Sequence, residues 1–201
     1  MENKLSKAER TRNYIIETTA DIFNTRGYAG TSLSDLTEAT GLSKGSIYGN
    51  FESKEEVALA VFDYNLNKVN SIIRQRMAQA KTYLDKLMIY ARVYDQFTRE
   101  KHFPKGGCPI LNTAIEADDT NPLLKAKASK AILNWKKNLE ELITAGITAG
   151  EFRDDLDPSQ VALSIIAIIE GGIMISKVTD SQNNLDQVMK TVELLINRIK
   201  V

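Results

Sequence analysis

Residues 31 to 56, TSLSDLTEATGLSKGSIYGNFESKEE, constrain the fold more than any other stretch of this chain. They read as two short helices around a tight turn, with a third helix starting directly after. Ser32 precedes Leu33 and has Asp35 three residues on, a capping-box start with Asp in the Glu/Gln place. Leu33 and Leu36 supply an inward face, Gly41 can take positive φ and close the helix, and Leu42 plugs the turn. Ser43 can cap the second helix by accepting from its free backbone N–H groups. Ile47 and Phe51 lie four apart and face the core together, which leaves Lys44, Ser46, Tyr48 and Asn50 on or near the other faces. Ser53 and Glu56 form a full capping box for the next helix. Two compact helices at a steep angle are the arrangement that pushes one helix into a DNA major groove. Upstream, Ser6 with Glu9 is another box, and Ile15, Ile16, Thr19, Ile22 and Phe23 form a stripe up to Gly27. Residues 6 to 51 therefore predict a three-helix unit with one side of its third helix exposed.

Between Arg10 and Phe51, the spacing Phe23-x-x-x-Gly27-Tyr28-x-x-Thr31-Ser32-Leu33-x-Asp35-Leu36 comes first. Gly41-Leu42-Ser43-Lys44-Gly45-Ser46-Ile47-Tyr48-x-Asn50-Phe51-x-Ser53-Lys54-Glu55 follows. Together they resemble the DNA-binding domain of the TetR family of transcriptional regulators. The resemblance covers about a quarter of the chain. It implies a dimeric, all-helical regulator that binds or releases operator DNA in response to a small molecule. Carried over by position, it implies that Thr31, Ser32, Lys44, Gly45, Ser46, Tyr48, Asn50 and Lys54 face DNA. Thr31, Tyr48, Asn50 and Lys54 would bind phosphates, which set register without reading sequence. Lys44 and Ser46 lie near the helix start, better placed for base edges, with Gly45 allowing close backbone approach. Two positions depart from the family pattern. Asn50 stands where a His is usual, and Gly49 where a bulky aromatic or basic residue is usual. Gly49 costs roughly 1 kcal/mol of helix propensity relative to Ala, so the end of this helix is expected to be loose without DNA.

Charge supports a reader that works by placement. The chain has no net charge, and 43% of its residues are hydrophobic. Residues 1 to 56 carry seven Lys/Arg against nine Asp/Glu, a net of −2. Lys4, Lys7, Arg10 and Arg12 cluster beside the recognition unit, where they could reach phosphates or a minor groove. The first apolar run is too short and charged for a signal peptide. The longest apolar stretch, Val161 to Ile175, is interrupted by Glu170, Gly171 and Gly172 and reads as too short for a bilayer. One Cys excludes an internal disulfide framework. The expected setting is cytoplasmic, with no membrane partner.

The rest of the chain reads as helix after helix, so the predicted fold class is all-α. Residues 1–53 are expected to bind DNA, and 54–201 to bind a ligand and dimerise. Phe62, Leu66, Val69, Ile73 and Met77 mark one long helix over about 54–80. Leu84, Leu87, Met88, Ala91, Tyr94 and Phe97 mark the next, ending before Pro104. Pro109 starts a short helix; Asn121-Pro122 and Asp157-Pro158 are each cap plus first-turn proline. Val161 to Ile175 is apolar nearly all round, and the final helix carries Leu185, Val188, Val192, Leu195, Ile196 and Ile199 as its stripe. Helices over about 158–179 and 183–200 are therefore expected to pack on their copies in a homodimeric four-helix bundle. Simple burial within one subunit is the alternative. A dimer would hold two recognition helices about 34 Å apart, one turn of a palindromic double-stranded operator.

For a small-molecule effector, Tyr90, Tyr94, Phe97, His102, Phe103, Cys108, Asn112, Glu116, Trp135 and Met174 are candidates to line a cavity between the middle helices. The sharpest choice is Tyr94, Phe97, Phe103, Cys108, Asn112, Trp135 and Met174; ordinary core packing of Tyr94, Phe97 and Trp135 is the alternative. Cys108 lies in Gly106-Gly107-Cys108-Pro109, resembling a subgroup with a Gly-Cys-Pro start to the sixth helix. A thiol there can gain thiolate character, and in some relatives such a Cys senses electrophiles. A small residue chosen for fit is the plainer reading. With a single His, and no Cys or carboxylate pattern at metal spacing, no metal, cofactor or catalytic residue is expected. The reading is a ligand-responsive dimeric repressor, with a DNA-binding scaffold without ligand, or a Cys108 redox sensor, as alternatives.

Overall fold

The computed structural model describes residues 5–95 and 103–201. Lys4, Phe97 and His102 lie outside the described residues. Among those described, nine helices form and no strand does; one isolated bridge pairs Phe152 with Lys200. The helices are α1 (Lys7–Arg26), α2 (Leu33–Thr40), α3 (Lys44–Tyr48), α4 (Lys54–Met77), α5 (Tyr83–Asp95), α6 (Pro109–Ala117), α7 (Pro122–Thr148), α8 (Pro158–Val178) and α9 (Gln182–Arg198). The all-α expectation holds.

The chain forms two compact units. Unit 1 combines Met1–Lys68 with Pro104–Ala128, and unit 2 combines Val69–Phe103 with Ser129–Val201. Two of the three crossings between them, after Lys68 and after Ala128, fall inside continuous helices, α4 and α7.

In unit 1 the core gathers Ile15, Phe23, Leu36, Ile47, Phe51, Val57 and Val61 with Ala117 and Leu124. The stripe predicted on α1 and the Ile47–Phe51 pair thus meet in one cluster. Leu33 and Leu42 pack against it from the edge. Asn121 caps α7 by accepting from the Leu124 N–H at 2.9 Å, and its amide donates to Glu55 Oε1 at 2.8 Å.

In unit 2, α9 packs chiefly on α8 and α5. Gly172 permits the close α8–α9 approach: a Cβ there would lie 2.8 Å from Val188 Cγ1. Asp157 Oδ1 caps α8 by accepting from Ser159 and Gln160 N–H at 2.9 and 3.3 Å. This cap and Pro158 in the first turn start α8 ahead of the apolar run, and the helix continues past Ile175 to Val178. The helix is 21 residues long and apolar enough to cross a bilayer by length and composition, which corrects the expectation that the run is too short. Half of its most apolar window is buried within the protein.

Candidate nucleic-acid interface

The recognition unit is built from its caps. Ser32 accepts from the Asp35 N–H at 3.1 Å, and the Asp35 carboxylate accepts from the Ser32 N–H at 2.7 Å. That reciprocal box starts α2 with the chain extended at Ser32. The Ser32 hydroxyl, donating to the same carboxylate at 2.6 Å, and then the Ser32 N–H hold the Asp35 carboxyl below the ordinary aspartate range, with Arg26 a lesser cause. Gly41 closes α2 in the left-handed region at φ 65°. Ser43 then accepts from the Ser46 N–H at 3.2 Å and starts α3.

α3 spans only five residues. Its end is held rather than loose. Gly49 stays right-handed at φ −74°, and the Asn50 amide donates back to Ser46 O at 2.9 Å. Arg12 from α1 donates to Asn50 O, pairs with Glu56 at 2.7 Å and lies 4.0 Å over the Phe51 ring. Arg12 is therefore a fastener for the end of α3 and not a loose phosphate arm. Its role is absent from local sequence pattern because its partners lie 38 and 44 residues away. Arg10 donates to Leu5 O at 3.0 Å and remains exposed.

The eight residues expected at DNA divide. Ser32, Lys44, Gly45 and Tyr48 are exposed, and Ser46 and Asn50 are half-buried. Lys44 Nζ lies 5.9 Å from the Tyr48 ring centroid. Thr31 and Lys54 are turned inward instead. Thr31 is fully buried and its hydroxyl donates to Gly27 O at 2.7 Å. The Lys54 ammonium donates to Tyr28 O at 2.8 Å and Thr31 O at 2.7 Å, and sits 4.1 Å over the Tyr28 ring. Both side chains brace the α1–α2 connection; a phosphate would have to compete with these bonds.

A second brace comes from α6. The Glu116 carboxylate accepts from the Tyr28 and Ala29 N–H groups at 2.8 and 2.7 Å. Asn112 donates to Asn24 O and Gly106 O, both at 2.9 Å, and Asn24 donates to Lys105 O at 2.8 Å and Gly107 O at 2.9 Å. These contacts explain why α6 belongs to unit 1.

The residues expected to line a ligand cavity are shared between the two units. Cys108 and Asn112 belong to unit 1, and the Asn112 amide nitrogen is committed to the brace. The Cys108 side chain is 2% exposed at the N-terminus of α6 and makes no cap hydrogen bond. Tyr94, Phe103 and Trp135 do cluster in unit 2. Trp135 stacks on Tyr90 and Tyr94 with centroids 6.2 and 5.7 Å apart, and Phe103 tilts against Tyr94 at 6.0 Å. The Trp135 indole N–H is buried without a hydrogen-bond partner. Burial pushes the Tyr90 phenol up to about 12. Met174 is 50% exposed on α8. Among the described residues no His/Cys/Asp/Glu group is arranged to hold a metal.

The comparisons with known proteins agree with this geometry. Residues 15–61 match the family described as bacterial regulatory proteins, tetR family, and residues 84–192 match the tetracyclin repressor-like C-terminal domain. A TetR-family transcriptional regulator from Cytophaga hutchinsonii has a structure superposing with TM-score 0.94 at 51% identity, over 99% of each chain. A TetR transcriptional regulator from Chloroflexus aurantiacus superposes with TM-score 0.91 at 38% identity, over 98% of each chain. The HTH-type transcriptional repressor DhaR of Mycobacterium sp. (strain GP1) is 27% identical over 90% of this chain and 89% of its own. With a helix-turn-helix unit held by its own caps and both family halves matched, the chain belongs to the TetR family of DNA-binding transcriptional regulators and is not an enzyme.

Proposed function

We propose that the protein is a cytoplasmic, homodimeric repressor that leaves a palindromic operator when a small molecule binds. The observation that carries the DNA half is α3, capped by Ser43 and fastened by Arg12, presenting Lys44, Gly45, Ser46 and Tyr48 outward. In this reading Lys44 and Ser46 meet base edges, while Ser32, Tyr48 and Asn50 meet phosphates. Thr31 and Lys54 contribute through the backbone they hold. Residues 1–53 are assigned to DNA binding and 54–201 to ligand binding and dimerisation, with α6 borrowed as a brace.

The dimer reading is supported by what α8 leaves uncovered. Leu163, Ala167, Met174 and Val178 fall within one narrow sector of the helix and are exposed, Val178 at 81%. Leu194 adds an exposed apolar side chain on α9. A second copy of the same face would cover them. The effector reading is supported by the buried aromatic cluster around Trp135, whose unpartnered N–H would be satisfied by an acceptor on a ligand. Ligand binding shifts α4, which starts in unit 1 and continues into unit 2, and so changes the spacing of the two recognition helices. The buried state of Cys108 gives the thiol-sensor alternative no support.

Footprinting on the DNA upstream of the protein's own gene tests the first half. Protection of two half-sites about 34 Å apart is expected. Lys44→Ala should weaken binding by about 1–3 kcal/mol if it reads a base; unchanged affinity and unchanged sequence preference sink that role. A thermal-shift screen of small molecules tests the second half, since a ligand stabilises in proportion to its saturation.

A further inference from the structure

Unit 1 holds a small cavity whose lining is chemically one-sided. It is bounded by Asn24, Asn65, Asn112 and Glu116, with Tyr28 and Phe62 among its aromatic walls. None of its lining residues is Lys or Arg. Each amide nitrogen at its wall donates to a backbone carbonyl. Asn65 Nδ2 donates to Ala20 O at 3.1 Å; because a carbonyl can only accept, the nitrogen must face it, which leaves Oδ1 on the other side. The nitrogens of Asn24 and Asn112 are likewise bound to backbone carbonyls.

What remains unsatisfied is an acceptor. Asn65 is 1% exposed and its Oδ1 has no hydrogen-bond partner. A buried acceptor left bare costs about 1–3 kcal/mol, so the site asks for a donor. The Glu116 carboxylate supplies negative charge at the same wall while accepting from two backbone N–H groups. Thr113 adds a hydroxyl that can accept as well as donate. The cavity is about 30 Å³ and partly open to solvent, room for about two water-sized groups.

We propose that this cavity binds the ammonium head of a small primary amine, whose three N–H donors meet Asn65 Oδ1 and the Glu116 side while the organic remainder faces the open mouth. The site lies in the DNA-binding unit and is independent of the effector reading for unit 2.

The test uses the full-length protein and methylammonium chloride, with sodium chloride and tetramethylammonium chloride at equal ionic strength. Methylammonium should raise Tm saturably by about 2–4 °C. Tetramethylammonium, which has the charge but no N–H donor, should match sodium. Asn65→Leu should abolish the methylammonium shift. Because that variant could fail to fold, the wild-type protein carries a second readout: NOEs from the methylammonium methyl protons to the Phe62 ring. Equal shifts for all three salts overturn the proposal, as does a shift that survives in a folded Asn65→Leu. Absence of the NOEs, with water occupying the cavity, overturns it too.

Discussion

Gly27 is the residue on which the α1–α2 connection turns. Its φ of 73° and ψ of 179° fall in a region open essentially to glycine. A Cβ there would also stand 2.3 Å from Glu116 Oε2. Gly27→Ala should therefore cost about 3 kcal/mol or more, combining backbone strain with displacement of the carboxylate, read as a lowered urea midpoint. Combining it with Glu116→Ala removes the steric part, so the double variant should be less destabilised than the sum of the singles. Additive costs would mean the strain is purely backbone. Arg12 makes a contrasting case. Its pair with Glu56 and its place over Phe51 are partly solvent-exposed, worth about 1 kcal/mol together. Arg12→Ala should thus lower DNA affinity more than stability, because it frees the end of α3; equal DNA affinity in the variant would show that α3 does not need this fastener.

The helices of the recognition unit are held by acidic caps, and those caps set a pH limit. Glu9 lies below the ordinary carboxylate range because it accepts from Ser6; Asp35 does so because of Ser32, and Glu56 because of the Glu52 N–H and then Arg12. A carboxyl lowered by folding stabilises the fold above its unfolded pKa, and that contribution fades as pH falls through its folded value. The three caps should hold at neutral pH and fail together below about pH 4, seen as loss of helical CD signal on acid titration. Ser6→Ala and Ser32→Ala should move the onset to higher pH; an unmoved onset would place the acid weakness elsewhere. α2, its turn and α3 were legible in sequence because a cap needs only residues three or four apart. The Glu116 and Arg12 braces were not, since their partners lie 88 and up to 44 residues away with no local signal. The inward turn of Thr31 and Lys54 has a different cause. Their residue types suit a phosphate, yet the chain supplies nearby carbonyls that satisfy them first. α8 was placed correctly, and only its apolar run was read as too short for a bilayer, because its polar first turn and Lys177 belong to the helix without belonging to that run.

At the scale of the molecule, the proposed dimer interface rests on the uncovered stripe of α8. Leu163→Glu with Val178→Glu should leave a monomer by light scattering and abolish binding to a two-half-site operator, with helical content retained. A variant that stays dimeric would place the interface on another face. Gly172→Leu probes the packing beneath: it overfills the α8–α9 contact and should cost about 1–3 kcal/mol. The two-unit organisation also shapes how the protein can be watched. Trp135 is the sole tryptophan of the chain and belongs to unit 2, where it lies against Tyr90 and Tyr94. Indole emission is consequently an optical report on unit 2 alone. Melting confined to the recognition helices leaves that colour unchanged while circular dichroism falls, so the gap between the two curves measures how independently the DNA-reading end comes apart.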